Sequence, residues 1–383
     1  MIYRALGNTG MNVSEISIGL EHMQGKEESV VRAVIERALS LGVNFFDAFM
    51  SEPNVRDYIG LALEGQRERA LIQGHFGAVW LDGQYAARRE LELNKRFFQD
   101  LLTRLKTDYM DVGMIHFIDD VNEWERFAES ETYAYIAGLK DSKVIRSIGL
   151  STHSPVVATK AVESGLIEVL MFSLNPAFDI LSEDMPIDDL FDAKSAKADS
   201  LTGLNPVRAA LYRLCESRGV AITVMKALGA GILLNGDTSP FGRPLSVDQL
   251  LHYALTRPAV SAVMLGVHKP EEVSRGIEYY KASPEERDYS VALAGTRQYS
   301  AKGRCMYCNH CLPCPAELDI AQVHKYLDMA EYSGGSADSV KSHYLNLKHT
   351  ASECSACGAC EERCPFAVNV IDNMKRAAER FGR

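Results

Sequence analysis

The chain has 383 residues, 46% hydrophobic and 24% charged, which is ordinary globular composition with room for a large barrel and an appendage. A formal charge of −10, a pI near 5.6 and no basic stripe interleaved with aromatics exclude nucleic acid as the main partner. No run is long and apolar enough to span a bilayer and Met1–Gly7 lacks the apolar core of a signal peptide, so the expectation is a cytoplasmic protein with no membrane partner.

In chain order, Tyr3-Arg4-Ala5-Leu6-Gly7-Asn8-Thr9-Gly10 reads as a small hairpin that closes the bottom of the fold that follows. Short apolar runs then alternate with helical patterns. The candidate strands end at Gly19, Asp47, His75, His116, Ser151, Ser173, Lys226 and Gly266. Amphipathic segments lie between most of them, among them Glu28–Leu41, Arg88–Leu105, Pro155–Ser164 and Val207–Arg218. Eight strand–helix units predict an α/β protein built on a parallel (β/α)₈ TIM barrel over residues 1–284. Two segments read as loops over its mouth: Phe76–Ala87, with Trp80 and Tyr85, and the polar stretch Ile180–Asn205, a length that suits a lid. Trp124 and Phe127 read as core anchors, Asp119-Asp120 as a solvated loop or helix start, and Cys215 as a buried packing residue.

Residues 285–383 form the second expected domain, mostly helical and ferredoxin-like, entered by a connector from Pro284 to Arg304. Eight of the nine cysteines lie here, as Cys305-x-x-Cys308-x-x-Cys311-x-x-Cys314-Pro315 and Cys354-x-x-Cys357-x-x-Cys360-x-x-x-Cys364-Pro365. Two-residue gaps aim successive thiolates at one cluster, and the distal Cys-Pro reaches across to the other, so the motifs interlock. The expectation is two [4Fe–4S] clusters, one held by Cys305, Cys308, Cys311 and Cys364, the other by Cys354, Cys357, Cys360 and Cys314. The first run is one residue shorter before its last cysteine than the usual bacterial pattern. Structural zinc and a disulfide framework are the competing readings of such cysteines. Helical patterns at Asp319–Tyr332 and Ala337–Leu347, broken by Gly334-Gly335, suit an α-helical ferredoxin. Glu361-Glu362-Arg363 reads as a solvated turn.

Several blocks of the barrel carry a resemblance. These are the opening hairpin, Asn44-Phe45-Phe46-Asp47, Leu105–Val112 with Ile115-His116, Ile145–Ser151 and Ala262–Pro270. Together, over residues 1 to about 280 and in the right order, the chain resembles the aldo-keto reductase superfamily, in the branch with a C-terminal ferredoxin domain. The resemblance implies hydride transfer between a nicotinamide and a carbonyl at a site of Asp, Tyr, Lys and His. Asp47 and His116 match the Asp and His. No Tyr stands where the acid belongs after Asp47, and His75 occupies the Lys position. His75 or Tyr85 are the candidates to replace the acid. The carboxamide-gripping positions read Ser151, Thr152 and Met171, the stacking aromatic becomes Met225, and the Arg for a 2′-phosphate becomes Glu272. A carboxylate there repels that phosphate, so NADH is expected over NADPH. Ser151, Asn175, Lys226, Gly266, His268 and Lys269 are the candidate nucleotide contacts, and Lys226 is also a candidate for an anionic substrate or a Schiff base.

The resulting expectation is an iron–sulfur oxidoreductase that reduces a carbonyl or activated double bond of a small molecule. A ferredoxin- or flavodoxin-like donor feeds its clusters. Two alternatives stand beside it. One is a metal-dependent barrel lyase or hydrolase using Asp47, His75 and His116, with His153 nearby. The other is an electron-transfer adaptor with a non-catalytic barrel.

Overall fold

The structure, a computed structural model, describes residues 1–180, 205–294, 303, 305, 311–332, 338–364 and 367–383. The interior of the expected loop Ile180–Asn205, together with Cys308, Gly334-Gly335 and most of the connector after 294, lies outside the described residues.

Strands β1 (Tyr3–Ala5) and β2 (Asn12–Ser14) pair antiparallel. Strands β3 (Ile16–Gly19), β4 (Phe45–Ala48) and β5 (Leu71–Phe76) follow, then a second hairpin of β6 (Ala78–Leu81) and β7 (Gln84–Ala87). Strands β8 (Met110–Ile115), β9 (Ile145–Thr152), β10 (Val169–Ser173), β11 (Ala221–Met225) and β12 (Val260–Gly266) complete the set. The eight strands β3, β4, β5, β8, β9, β10, β11 and β12 are parallel and close on themselves as a barrel, as expected. Each ends within one residue of its expected end, because a polar or glycine residue at the top of each apolar run stops the buried ladder.

Inside the barrel, Phe45, Val112, Met114, Val169, Met171, Ala221, Ala262 and Met264 form one buried cluster. Leu6, Met11 and Val13 of the β1–β2 hairpin belong to the same cluster, so this hairpin plugs one end of the barrel. The other end, where the strands finish, carries polar side chains. Among the helices between strands, α1 (Glu28–Ser40), α2 (Pro53–Ala62), α3 (Leu91–Arg104), α4 (Val121–Ala128), α5 (Glu131–Asp141) and α6 (Pro155–Ser164) follow the expected amphipathic spacing. Trp124 and Phe127 of α4 are buried anchors, and Asp120 caps α4 by accepting from the Glu123 N–H.

The described chain divides into two compact units. One is Met1–Leu174, Arg218–Ala227 and Ala259–Ala282, with all eight barrel strands; the other is Asn175–Ser217, Leu228–Pro258 and Ser283–Arg383. The second unit holds α7 (Pro176–Ile180), α8 (Pro206–Arg218), α9 (Val247–Leu255) and the C-terminal helices Ile320–Tyr332, Asp338–Leu345 and Val370–Phe381. No strand occurs among its described residues, in keeping with a helical ferredoxin-like segment. Cys215 in α8 is buried, and burial pushes its thiol up, away from reactivity.

A buried ionic knot organises this unit. Asp179 accepts from Arg208 Nε at 2.9 Å, Tyr212 Oη at 2.5 Å and Tyr253 Oη at 2.7 Å, all four groups buried. The Asn205 N–H donates to the Asp179 carbonyl at 2.6 Å, so the knot joins the chain before 181 to the chain after 204. Removing the carboxylate leaves a buried guanidinium short of its counter-charge. Asp179→Ala is therefore expected to destabilise the protein by about 3–5 kcal/mol and Tyr253→Phe by about 1 kcal/mol, read from urea unfolding midpoints.

Candidate active site and cysteine cavity

Four side chains from three strand ends and a hairpin form one hydrogen-bonded series. Asp47 is the next-to-last residue of β4, and its Oδ1 lies 2.8 Å from His75 Nε2 on β5. His75 Nδ1 lies 3.0 Å from His116 Nδ1, just after β8. His116 Nε2 meets the Tyr85 hydroxyl in a short hydrogen bond. Asp47, His75 and His116 are buried, while Tyr85 is 36% exposed. The series therefore runs from the barrel interior to the rim.

The register explains the convergence. Strands β4, β5 and β8 are adjacent in the sheet, and alternate residues of a strand face inward, so Asp47, Gln73 and His75 share the interior. Gln73 Nε2 donates to the same Asp47 Oδ1 at 2.8 Å and contacts Met171 Sδ at 3.3 Å. Phe49 packs on all three outer groups, its ring centroid 5.7 Å from His75, 5.6 Å from His116 and 6.3 Å from Tyr85.

Tyr85 is brought in by a feature the sequence reading missed. Phe76–Ala87 was expected as a loop, and it is instead an antiparallel hairpin with Trp80 opposite Tyr85. Its two-residue turn, Asp82-Gly83, has φ of +51° and +75°, the primed turn that an Asp-Gly pair favours. That dipeptide was the available signal. At the hairpin base Gly77 has φ +91°, and a Cβ there would lie 2.9 Å from the Arg88 carbonyl oxygen. Ser51 Oγ donates to the Val79 carbonyl at 2.8 Å, and Arg89 bonds both Glu123 and the Phe117 carbonyl, which ties the hairpin to the His116 segment.

Burial holds His116 well below the usual imidazole range, reinforced by the charges of His75, Arg89 and His153 and only partly opposed by Asp119. Burial likewise raises Tyr85, partly opposed by Arg89. His116 is thus a neutral ring with one donor and one acceptor nitrogen.

The remaining candidates fall in separate places. His153, after β9, faces Asp119 and, through Nε2 at 3.0 Å, Lys226 Nζ at the end of β11. Asp119, read from sequence with Asp120 as a solvated loop or helix start, is exposed and also partners this histidine. Ser151 is buried at the end of β9 opposite Met171. Gly266 ends β12 beneath His22, whose ring stacks on His268 with centroids 4.1 Å apart. Glu272 Oε2 accepts from the His268 N–H at 2.7 Å, and Lys269 is the N-cap residue of the helix α10 (Pro270–Ile277). Asn175 lies in the second unit, where its Oδ1 accepts from the Phe178 N–H at 3.0 Å, a helix-capping role. Asp47, His75 and His116 bond one another in series, and among the described residues no three His, Cys, Asp or Glu side chains are arranged to hold a single metal ion.

In the second unit, Cys314 of the first run and Cys354, Cys357 and Cys360 of the second line one cavity. Apolar Leu318, Ile320 and Met374 complete much of its wall. Arg363 lines it too, with guanidinium bonds to the Pro313 and Ala359 carbonyls at 2.8 Å, so the segment read as a solvated turn faces the cavity in part. Cys305, Cys311 and Cys364 are half-buried.

The sequence family described as the aldo/keto reductase family matches residues 15–247. The chain belongs to that family. A 4Fe–4S dicluster domain matches residues 302–368, so the reductase barrel carries an iron–sulfur domain at its C-terminal end. The chain is similar to a protein named uncharacterized oxidoreductase YqkF from Bacillus subtilis, with 26% identity over 292 residues, 72% of this chain and 90% of the relative. It is also similar to aldo-keto reductase YhdN of the same organism, 23% identical over 210 residues, 52% of this chain and 61% of the relative. The fold matches that of aldo-keto reductase AKR11C1 from Bacillus halodurans in its holo form, with a TM-score of 0.59 and 21% identity over 78% of this chain and 97% of the other. The protein is an oxidoreductase enzyme of this family.

The lowered His116 has a consequence for stability. An imidazole buried neutral binds a proton more readily once unfolded, so below about pH 6.5 the unfolded state takes up the proton and stability falls as pH falls. The His116→Phe variant is expected to lose that component, visible as a shallower acid-side decline in urea-unfolding stability than in the parent protein.

Proposed function

We propose that the barrel mouth reduces a small-molecule carbonyl, with Tyr85 as the group that exchanges a proton with the carbonyl oxygen. The observation that carries this reading is the unbroken hydrogen-bond series from Asp47 through His75 and His116 to the hydroxyl of the rim residue Tyr85. It supplies a phenol at the rim of a barrel that lacks a tyrosine after Asp47.

The series has two directions that differ by one proton. With His75 neutral, its Nε2–H donates to Asp47, its Nδ1 accepts from His116 Nδ1–H, and His116 Nε2 accepts from Tyr85. The phenol oxygen then faces the mouth as an acceptor, suited to take a proton from an alcohol. With one more proton on His75, the bond from Nε2 to the Asp47 carboxylate keeps its direction and the two outer bonds reverse. His75 donates to His116, His116 Nε2–H donates to the Tyr85 oxygen, and the phenol O–H is free to donate to a carbonyl. His116 changes tautomer and stays neutral in both, as its lowered proton affinity requires. His75 thus carries the charge at the position where the family has a lysine.

A dihydronicotinamide, when bound, would supply the hydride. Glu272, bonded to the His268 N–H, sets a carboxylate at the position expected for a 2′-phosphate ligand, which favours NADH over NADPH. The cysteine cavity supports a polynuclear cluster over zinc. Four cysteines around one cavity suit a cubane whose irons each take one thiolate. We assign Cys314, Cys354, Cys357 and Cys360 to one [4Fe–4S] cluster and Cys305, Cys308, Cys311 and Cys364 to a second, fed by a ferredoxin- or flavodoxin-like donor in the reducing cytoplasm. Arg363 and the apolar wall residues would set the first cluster's potential through charge and solvent access.

Tyr85→Phe is expected to lower the single-turnover rate of NADH-dependent aldehyde reduction by roughly 10²–10⁴-fold with little change in NADH affinity. An unchanged rate would remove Tyr85 from the chemistry. In the anaerobically reconstituted protein, Cys357→Ser and Cys364→Ser are each expected to perturb one of two distinguishable cluster signals in electron paramagnetic resonance, and a single signal lost in both would contradict the assignment of ligands.

A further inference from the structure

A second charged series at the rim is not used by this chemistry. Asp119 Oδ1 accepts from the His153 N–H at 2.6 Å and from Thr152 Oγ1 at 2.8 Å, and Oδ2 lies 2.9 Å from His153 Nδ1. His153 Nε2 lies 3.0 Å from Lys226 Nζ. An ammonium can only donate, so Nε2 is the acceptor and the imidazole proton is on Nδ1, toward Asp119. Burial works against the Asp119 charge, but the hydrogen bonds from His153 and Thr152 outweigh it and hold the carboxyl at about 2. The ring is therefore clamped at one nitrogen and presents the other to lysine.

The clamp acts across the barrel. His153 follows β9 and Lys226 follows β11, so the contact reaches past the end of β10 between them. Lys226 has φ +61°, a left-handed backbone that a residue with a Cβ rarely adopts and that gathers at functional sites. Phe117 stands between this series and the first, its ring centroid 4.9 Å from His116 and 6.1 Å from His153, and it is 36% exposed. A cation, an apolar wall and a proton-exchanging phenol thus border one mouth.

We propose that Lys226, oriented by His153 and Asp119, is the subsite for an anionic end of the substrate, so that the substrate is a carbonyl compound bearing a carboxylate. This rests on the carbonyl-reducing reading of the barrel. Lys226 would bond the carboxylate in a charge-assisted hydrogen bond while Phe117 covers the carbon frame. His153 and Asp119 are positioning residues.

The test is direct binding to the reconstituted full-length protein, read by calorimetry without turnover. The probes are 4-(hydroxymethyl)benzoate and its neutral isostere 4-nitrobenzyl alcohol, product-like alcohols that form no imine with lysine. The parent protein is expected to bind the benzoate about ten-fold or more tightly than the nitro compound, the scale of one charge-assisted hydrogen bond. Lys226→Met is expected to erase that preference with the nitro affinity unchanged, Lys226→Arg to restore most of it, and His153→Gln to reduce it. No preference in the parent, or a preference that survives Lys226→Met, overturns the proposal. Loss of NADH affinity in Lys226→Met with the preference intact also overturns it, because the anion served would be the nucleotide phosphate. Binding is read without hydride transfer, so failure of the Tyr85 chemistry leaves this result standing, and the two failures are distinguishable.

Discussion

The hydrogen bond between Asp47 and His75 is the constraint on which the barrel site depends. A carboxylate oxygen that already accepts from Gln73 can only accept again, so His75 must donate at Nε2. From there each further bond has its direction fixed by the protonation of one ring. Three buried polar groups in series are costly in a low-dielectric interior unless every member is satisfied, and here each nitrogen has a partner. A barrel with no use for its mouth would reach the same stability more simply with apolar residues, which weighs against an adaptor with a non-catalytic barrel.

The barrel supplies the precision that this series needs. Parallel pairing sets the ends of β4, β5 and β8 side by side, the inward alternation aims Asp47 and His75 into the interior, and His116, one residue past β8, is held in reach by its N–H bond to the Phe76 carbonyl. The hairpin β6–β7 then adds the outermost group from a two-stranded element anchored at Gly77, Ser51 and Arg89. The hydrogen-bonded series is thus spread between the barrel interior and one small appended element. The cysteine-bearing unit is a separate helical construction in which Cys314 joins three cysteines that lie some distance along the chain.

Much of this was legible in the sequence, for identifiable reasons. The strand ends at Asp47, His75 and His116 were readable because apolar runs terminate there in polar residues, and the opening hairpin was readable from its turn. The cysteine spacing pointed to iron–sulfur ligation because few other chemistries need it. The role of Tyr85 was open because a residue's strand partner depends on turn type, and Asp82-Gly83 was not weighed as a turn. Asp119 is exposed, as its polar stretch suggests, and its bond to His153 was not legible because only the end of β9 brings that ring to it. Asn175 was expected among the nucleotide contacts, and its Oδ1 accepts from the Phe178 N–H at the start of α7. Contacts between residues far apart in sequence are set by barrel closure, which no local pattern encodes.

The most direct test of the central claim is nitrogen-15 nuclear magnetic resonance of histidine-labelled protein, following the two rings of His75 and His116 as pH is lowered. The account predicts that His116 begins with its proton on Nδ1. In the state in which His75 holds two protons that proton lies on Nε2, and His116 itself holds one proton in both states. A His116 that holds two protons, or that keeps one tautomer in both states, would contradict the reversal on which the proton exchange through Tyr85 rests.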